Sequence, residues 1–182
     1  MKPVICTASG VEFDPINPTI EMIRIEDIAH ALSHMPRFGG HTRDFYSVAQ
    51  HSVDVSFGCD KADAGYGLLH DAAEAYLMDF PAPIKQLFPQ YEYIERRLLA
   101  VIYEAFGLDP AIVKPPSVDA ADTLALRAER ASLMPIIDWW PADTHMPVVE
   151  PVSSADAKST FLHRFNRLVR DGLLKENTHA FH

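Results

Sequence analysis

Two hydrophobic rhythms divide this chain. Up to residue 24, short β-prone pieces at 4–7, 11–13 and 19–24 alternate with the turn formers Ser9-Gly10, Asp14-Pro15 and Asn17-Pro18, which predicts a small hairpin at one edge. From Ile25 the period becomes helical: Ile25, Ile28, Ala29 and Leu32 share a face, Glu26 and Asp27 sit early where they suit the helix dipole, and Met35-Pro36 stops the run. A second helix is predicted over 47–57 with Gly58 at its end. A third, over 62–78, is the most apolar: Leu68, Leu69, Ala72, Ala73, Ala75, Tyr76 and Leu77 cover most of its circumference, so it reads as the buried helix around which the others pack. After a proline-punctuated connection, helices follow over 90–106, closed by Gly107, over 117–134, and over 155–170. The stretch 135–153 between the last two is Pro-rich and carries Trp139-Trp140. No internal repeat is present, and the expectation is an all-α single domain over 1–182, with a core at about 25–134 and a C-terminal helical tail at about 135–182.

Composition narrows the partners. A chain of 182 residues is long enough to bury a continuous core without disulfides. Its Lys+Arg 16 against Asp+Glu 25 leave a net charge of −9, which argues against nucleic-acid polymers and anionic membranes, both held by many Lys and Arg contacts. A small phosphorylated ligand in a locally positive pocket remains compatible. The two cysteines, Cys6 and Cys59, lack CxxC spacing, no signal peptide opens the chain, and no run approaches the roughly 20 apolar residues of a membrane span. A reducing cytoplasm is therefore the expected compartment.

The anomaly is polar. His70-Asp71 stands in the middle of the most apolar helical run, where an imidazole and a carboxylate are costly without partners. Glu74 is four residues from His70 and three from Asp71, hence on the same side as both. His51 lies among Val48, Ser52 and Val55 on the inward side of the second helix, and Asp119 and Asp122 stand in the apolar run VDAADTLAL. Three helices each send a His or Asp toward the core, as a shared metal ion would require, although satisfied core polar pairs are the alternative for each residue taken alone. His30 and His34, four residues apart, read as surface histidines, His41 as a loop residue or part of a substrate entrance, and Tyr91, Tyr93 and Tyr103 as packing. His145, His163, His179 and His182 have no constellation around them.

The order His, then His-Asp, then Asp on successive helices resembles the HD-domain metal-dependent phosphohydrolases. The blocks RFGGHTRDFYSVAQHS, LLHDAAEAYLMDFPAPIK and ADTLALRAER, with TASGVEFDP and IRIEDIAHALS before them, are similar to the prophage and phage branch of the 5′-deoxynucleotidase-like members, which includes phage dATP triphosphohydrolases. The similarity covers most of residues 5–134 and leaves the tail poorly matched apart from HRFN. Ala128 and Ala131-Ser132 depart from it, where members carry Thr and Arg-Asp, but none of these is a ligand position.

The resemblance implies an HD-domain helical bundle in which His51, His70, Asp71 and Asp122, favoured over Asp119 by its context, hold one divalent metal ion, whether Mn, Co, Ni, Fe, Zn or Mg. It implies Glu74 and Asp79 as the catalytic acids, and Arg37 and Phe38 as the phosphate-and-nucleoside grip, with His41 and Lys85 as further substrate contacts. The implied reaction is hydrolysis of the 5′-phosphate ester of a deoxynucleotide in a homo-oligomer, giving either phosphate from a monophosphate or triphosphate from a dNTP. A catalytically silent nucleotide-binding regulator on the same scaffold is the competing expectation, and a purely structural helical protein without metal is a third.

Overall fold

The computed structural model describes residues 4–139, 143 and 145–179, so Trp140 and His182 lie outside the described residues. The hairpin forms as two short antiparallel strands, β1 (Ile5–Cys6) and β2 (Glu12–Phe13), with Ile5 opposite Phe13. Gly10, at φ +84°, makes the turn between them. The third β-prone piece does not become a strand. Residues Ile20–Met22 form a 3-10 helix, because this period puts Ile20 and the fully buried Ile23 on the side that packs against the core.

Seven of the eight α-helices among the described residues correspond to the predicted periods or complete them: α1 (Ile25–His34), α2 (Val48–Gly58), then the pair α3 (Ala64–Leu69) and α4 (Glu74–Leu77), and, after α5 (Ala82–Lys85), the long helices α6 (Pro89–Ala105), α7 (Pro116–Leu133) and α8 (Ser154–Arg170). Ser47 caps α2 by accepting from the Gln50 N–H, and Ser153 caps α8 by accepting from the Asp156 N–H. The one-turn α5 was expected only as a connection. The bundle is mostly helical, and none of its helices among the described residues is long and apolar enough to cross a membrane.

The predicted continuous helix over 62–78 is broken. Between α3 and α4 the backbone tightens through residues 70–73, where bonds run from the Ala72 N–H to the Leu69 carbonyl and from the Glu74 N–H to the Asp71 carbonyl. These three-residue closures are 3-10 geometry, and they rotate successive side chains by more than an α-helix does. The buried α3 was expected to be the hub, and the structure shares that position with α2, which packs along α3, α7, α8 and α1. Gly67 permits the α2–α3 approach, since a Cβ there would lie 2.9 Å from Cys59 Sγ and 3.0 Å from Ser56 Cα. Packing around this pair, Ile28, Leu32, Val55, Leu68, Leu69, Ile102, Phe161 and Phe165 form an apolar core. Tyr103 is packed as expected, whereas Tyr93 is exposed and Trp139 is 82% exposed, so neither belongs to the core.

Candidate metal centre

His51 comes from the middle of α2, buried at 0% exposure, and His70 opens the tight turn at the end of α3. Their rings lie 5.3 Å apart. Between them stands one oxygen of Asp71: its Oδ2 is 3.3 Å from His70 Nε2 and 3.7 Å from His51 Nε2. The ligand atoms of His51, His70 and Asp71 fall within 4.8 Å of one another, a group that can hold a metal ion. On α7, Asp122 Oδ1 is 3.2 Å from His51 Nε2, while the Asp119 side chain is 72% exposed.

The residues fit a cation on a second ground. His51 Nε2 and His70 Nε2 are both buried and have no hydrogen-bond partner, whereas the opposite nitrogen of each ring is held: His51 Nδ1 is 2.5 Å from Glu129 Oε1, and His70 Nδ1 is 2.8 Å from the Gly67 carbonyl. An imidazole held at Nδ1 by a carboxylate or carbonyl presents its Nε2 lone pair, which is the usual arrangement behind a metal ligand. Burial and Arg37 both work against a charged His51, yet Glu129 and Asp122 outweigh them and raise its pKa from 6.5 to about 9, so a proton and a metal ion compete for its Nε2. Burial would push Asp71 up, but His70, His51 and Arg37 hold it well below the usual carboxylate range, and Asp122 is held low by the two histidines and Lys114.

A cleft of about 700 Å³ opens over this cluster, lined by Arg37, Phe38, His41, Asp71, Glu74, Asp79, Lys85 and Asp122 among others. All ten residues singled out from the sequence therefore meet here, with His51 and His70 beneath the lining. Arg37 and Phe38 open a short 3-10 turn, Arg37–Gly40, in which Phe38 and the two glycines take positive φ values of 54°, 60° and 81°. The left-handed Phe38 costs about 1 kcal/mol or more, and it sets the ring on the cleft wall with the Arg37 guanidinium 5.7 Å from its centroid. Glu74 is 5% exposed, its Oε2 has no hydrogen-bond partner, and burial together with Asp71 and Asp79 pushes its carboxyl far above the ordinary range. Burial likewise raises Asp79. The centre thus pairs carboxylates held low beside the imidazoles with a carboxyl group pushed upward one turn away, the separation of roles that acid–base chemistry uses.

Some partners were not foreseen. Glu129, fully buried, accepts from Arg37 Nη2 at 3.0 Å and Nε at 3.3 Å, and from the Tyr46 hydroxyl at 3.3 Å. It follows Asp122 by seven residues, two helical turns, and that spacing on one face of α7 was the available signal. Lys114 is 2.5 Å from Asp122 Oδ2, and Lys85, read as a phosphate contact, donates to Glu95 at 2.7 Å on the neighbouring helix α6. His30 and His34 lie ring to ring on α1, their centroids 4.4 Å apart and their planes tilted by 34°, with His30 half-buried and His34 exposed.

No family model matches the chain. The uncharacterized protein YfdR of Escherichia coli K12 is 42% identical over 173 residues, spanning 90% of this chain and 94% of that protein. An uncharacterized protein of Rhodobacter capsulatus is 40% identical over 134 residues, 66% of this chain and 68% of its own length. Identity at this level over nearly the full length of both chains leaves no room for a different fold or core, and the protein belongs to the YfdR family.

Proposed function

We propose that the protein is a metal-dependent phosphohydrolase of the HD-domain class that cleaves the 5′-phosphate ester of a deoxynucleotide. The observation that carries this reading is the pair of buried, unpartnered Nε2 atoms of His51 and His70 facing Asp71 at the floor of an open cleft. A divalent ion held by His51, His70, Asp71 and Asp122 supplies Lewis acidity and lowers the pKa of water. Lys114 competes for Asp122 and must yield part of that carboxylate to the ion.

The chain's own groups do the rest. Arg37, kept charged by Glu129 and Asp71 in spite of its burial, offers a planar donor set to a phosphoryl group, and Phe38 offers a flat face to a base or sugar. Glu74, whose carboxyl burial, Asp71 and Asp79 push upward, delivers a proton to the leaving ester oxygen, and Asp79 at the cleft wall accepts from a sugar hydroxyl. Among the described cations near the cleft, Arg37 is tied to Glu129, Lys85 to Glu95, Lys114 to Asp122 and Arg43 to the Ser132 carbonyl. Three of these cations are already paired with carboxylates, and Arg43 keeps its charge but does not line the cleft, so the monophosphate is the favoured substrate. Exposed Leu124, Ile136, Trp139 and Val148 support homo-oligomer formation, which sedimentation velocity checks.

The test is a panel of deoxynucleoside mono- and triphosphates with Mn²⁺, Co²⁺, Mg²⁺ or Zn²⁺, run on the wild type, His70→Ala and Glu74→Ala. Inorganic phosphate from monophosphates, lost in both variants, is the expected outcome. Triphosphate released from dATP would redirect the substrate, and nucleotide binding with no turnover would replace the hydrolase with a silent binder.

A further inference from the structure

We propose that Glu129 is a positioning residue that ties the metal-facing histidine to the phosphate-facing arginine, so that ion loading and the grip on a phosphoryl group both depend on one carboxylate. The phosphoryl half rests on the functional reading above; the metal half stands on geometry alone. Each oxygen of Glu129 serves one limb. Oε1 is 2.5 Å from His51 Nδ1 and 3.3 Å from the Tyr46 hydroxyl, whose single proton is divided between Glu129 and Asp54 Oδ2 at 3.0 Å. Oε2 takes both Arg37 Nε, at 3.3 Å, and Nη2, at 3.0 Å, leaving Nη1 on the cleft side, 3.9 Å from Asp71 Oδ2.

Packing alone does not call for this residue. A buried carboxylate is costly, and an apolar side chain of similar volume often serves stability as well or better. What an apolar residue cannot do is hold the His51 proton on Nδ1, so that the Nε2 lone pair points at Asp71 and Asp122, and at the same time fix the plane of the Arg37 guanidinium. His70 has no such dependence, because its Nδ1 is held by the Gly67 carbonyl, which substitution of side chains leaves in place. Glutamine at position 129 keeps the shape but has one acceptor oxygen, so it can serve one limb and must present an N–H to the other.

The experiment titrates Mn²⁺ alone into the wild type, Glu129→Gln and Arg37→Met, then inorganic phosphate into each Mn²⁺-saturated protein. In Glu129→Gln, Mn²⁺ binding is expected to weaken 10–100-fold, and phosphate binding about tenfold. In Arg37→Met only the phosphate affinity falls. A folded Glu129→Gln chain with both affinities unchanged overturns the proposal. Should that variant fail to fold, ¹⁵N shifts of the His51 ring in the Zn²⁺-loaded wild type decide: a proton on Nδ1 is expected, and its absence there overturns the idea. A wild type that binds Mn²⁺ and phosphate with the expected differences among variants, yet hydrolyses no nucleotide, removes the hydrolase reading and leaves the role of Glu129 standing.

Discussion

The two histidines of the centre are held by opposite means. On the α2–α7 side, His51 leans on charge: a buried carboxylate 2.5 Å away, shared with Arg37 and Tyr46. On the α3–α4 side, His70 leans on backbone, the Gly67 carbonyl three residues earlier in its own helix. A backbone prop is local and survives side-chain change, but it depends on the helix keeping its path. A charged prop tunes the ring and couples it to distant groups, but it fails when one partner is removed. The site therefore has one limb that sequence change can retune and one that only a shift of the backbone disturbs.

Removing the rings gives the largest expected contrast. His70→Ala and His51→Ala should both abolish stoichiometric metal uptake, read by Mn²⁺ titration. In ion-free urea denaturation, however, His51→Ala is expected to cost about 1.5–3 kcal/mol, since it takes a charged partner from Glu129 and leaves that carboxylate to Arg37 and Tyr46, against about 1 kcal/mol for His70→Ala, which removes one bond to a carbonyl. Equal losses would show that the two props are equivalent after all.

The backbone limb breaks at Gly67. Alanine there meets Cys59 Sγ and the Ser56 Cα at 2.9 and 3.0 Å, and should destabilise by about 1–3 kcal/mol. The thermal midpoint measures it, and metal affinity should fall with it, because α2 and α3 must separate.

The charged limb responds to pH in a defined direction. With His51 raised from 6.5 to about 9 in the folded, ion-free chain, its contribution to stability is fully present below about 6.5 and is lost as pH rises through 9. The ion-free midpoint should therefore drop between pH 7 and 9.5, and Glu129→Gln should flatten that drop. An unchanged slope in the variant would separate Glu129 from the titration of His51.

The smallest effect concerns Lys114, which shares Asp122 with the centre at partly exposed positions. Lys114→Met should tighten Mn²⁺ binding by about threefold, the scale of one such ion pair. Weaker binding would mean that the lysine steadies the ligand rather than competing for it.

Much of this was readable in the chain. The periods of α1, α2, α6, α7 and α8 came from residues three and four apart, and each ends within a residue or two of a capping Ser, a Gly or a Pro. His51, His70, Asp71, Glu74 and Asp122 stood out as polar groups inside apolar runs, and the same contradiction that flagged them is what places them at the buried end of a cleft. Thr19 to Arg24 and the 62–78 run were misread for a common reason: a β-prone or helix-periodic string has no means of registering a 3-10 turn, whose closure depends on what lies against it.

Local spacing, then, was enough to settle which segments coil, which faces turn inward and which polar residues are too costly to be idle, because those depend on neighbours within about one turn. The partners of the charges were another matter. Glu129 meets His51 across 78 positions and Arg37 across 92, and Lys85 and Lys114 turn to Glu95 and Asp122 instead of staying free in the cleft. Such pairings belong to the packed bundle, since only after α2, α3 and α7 close on one another does removal from water force each charge to find the particular group that satisfies it.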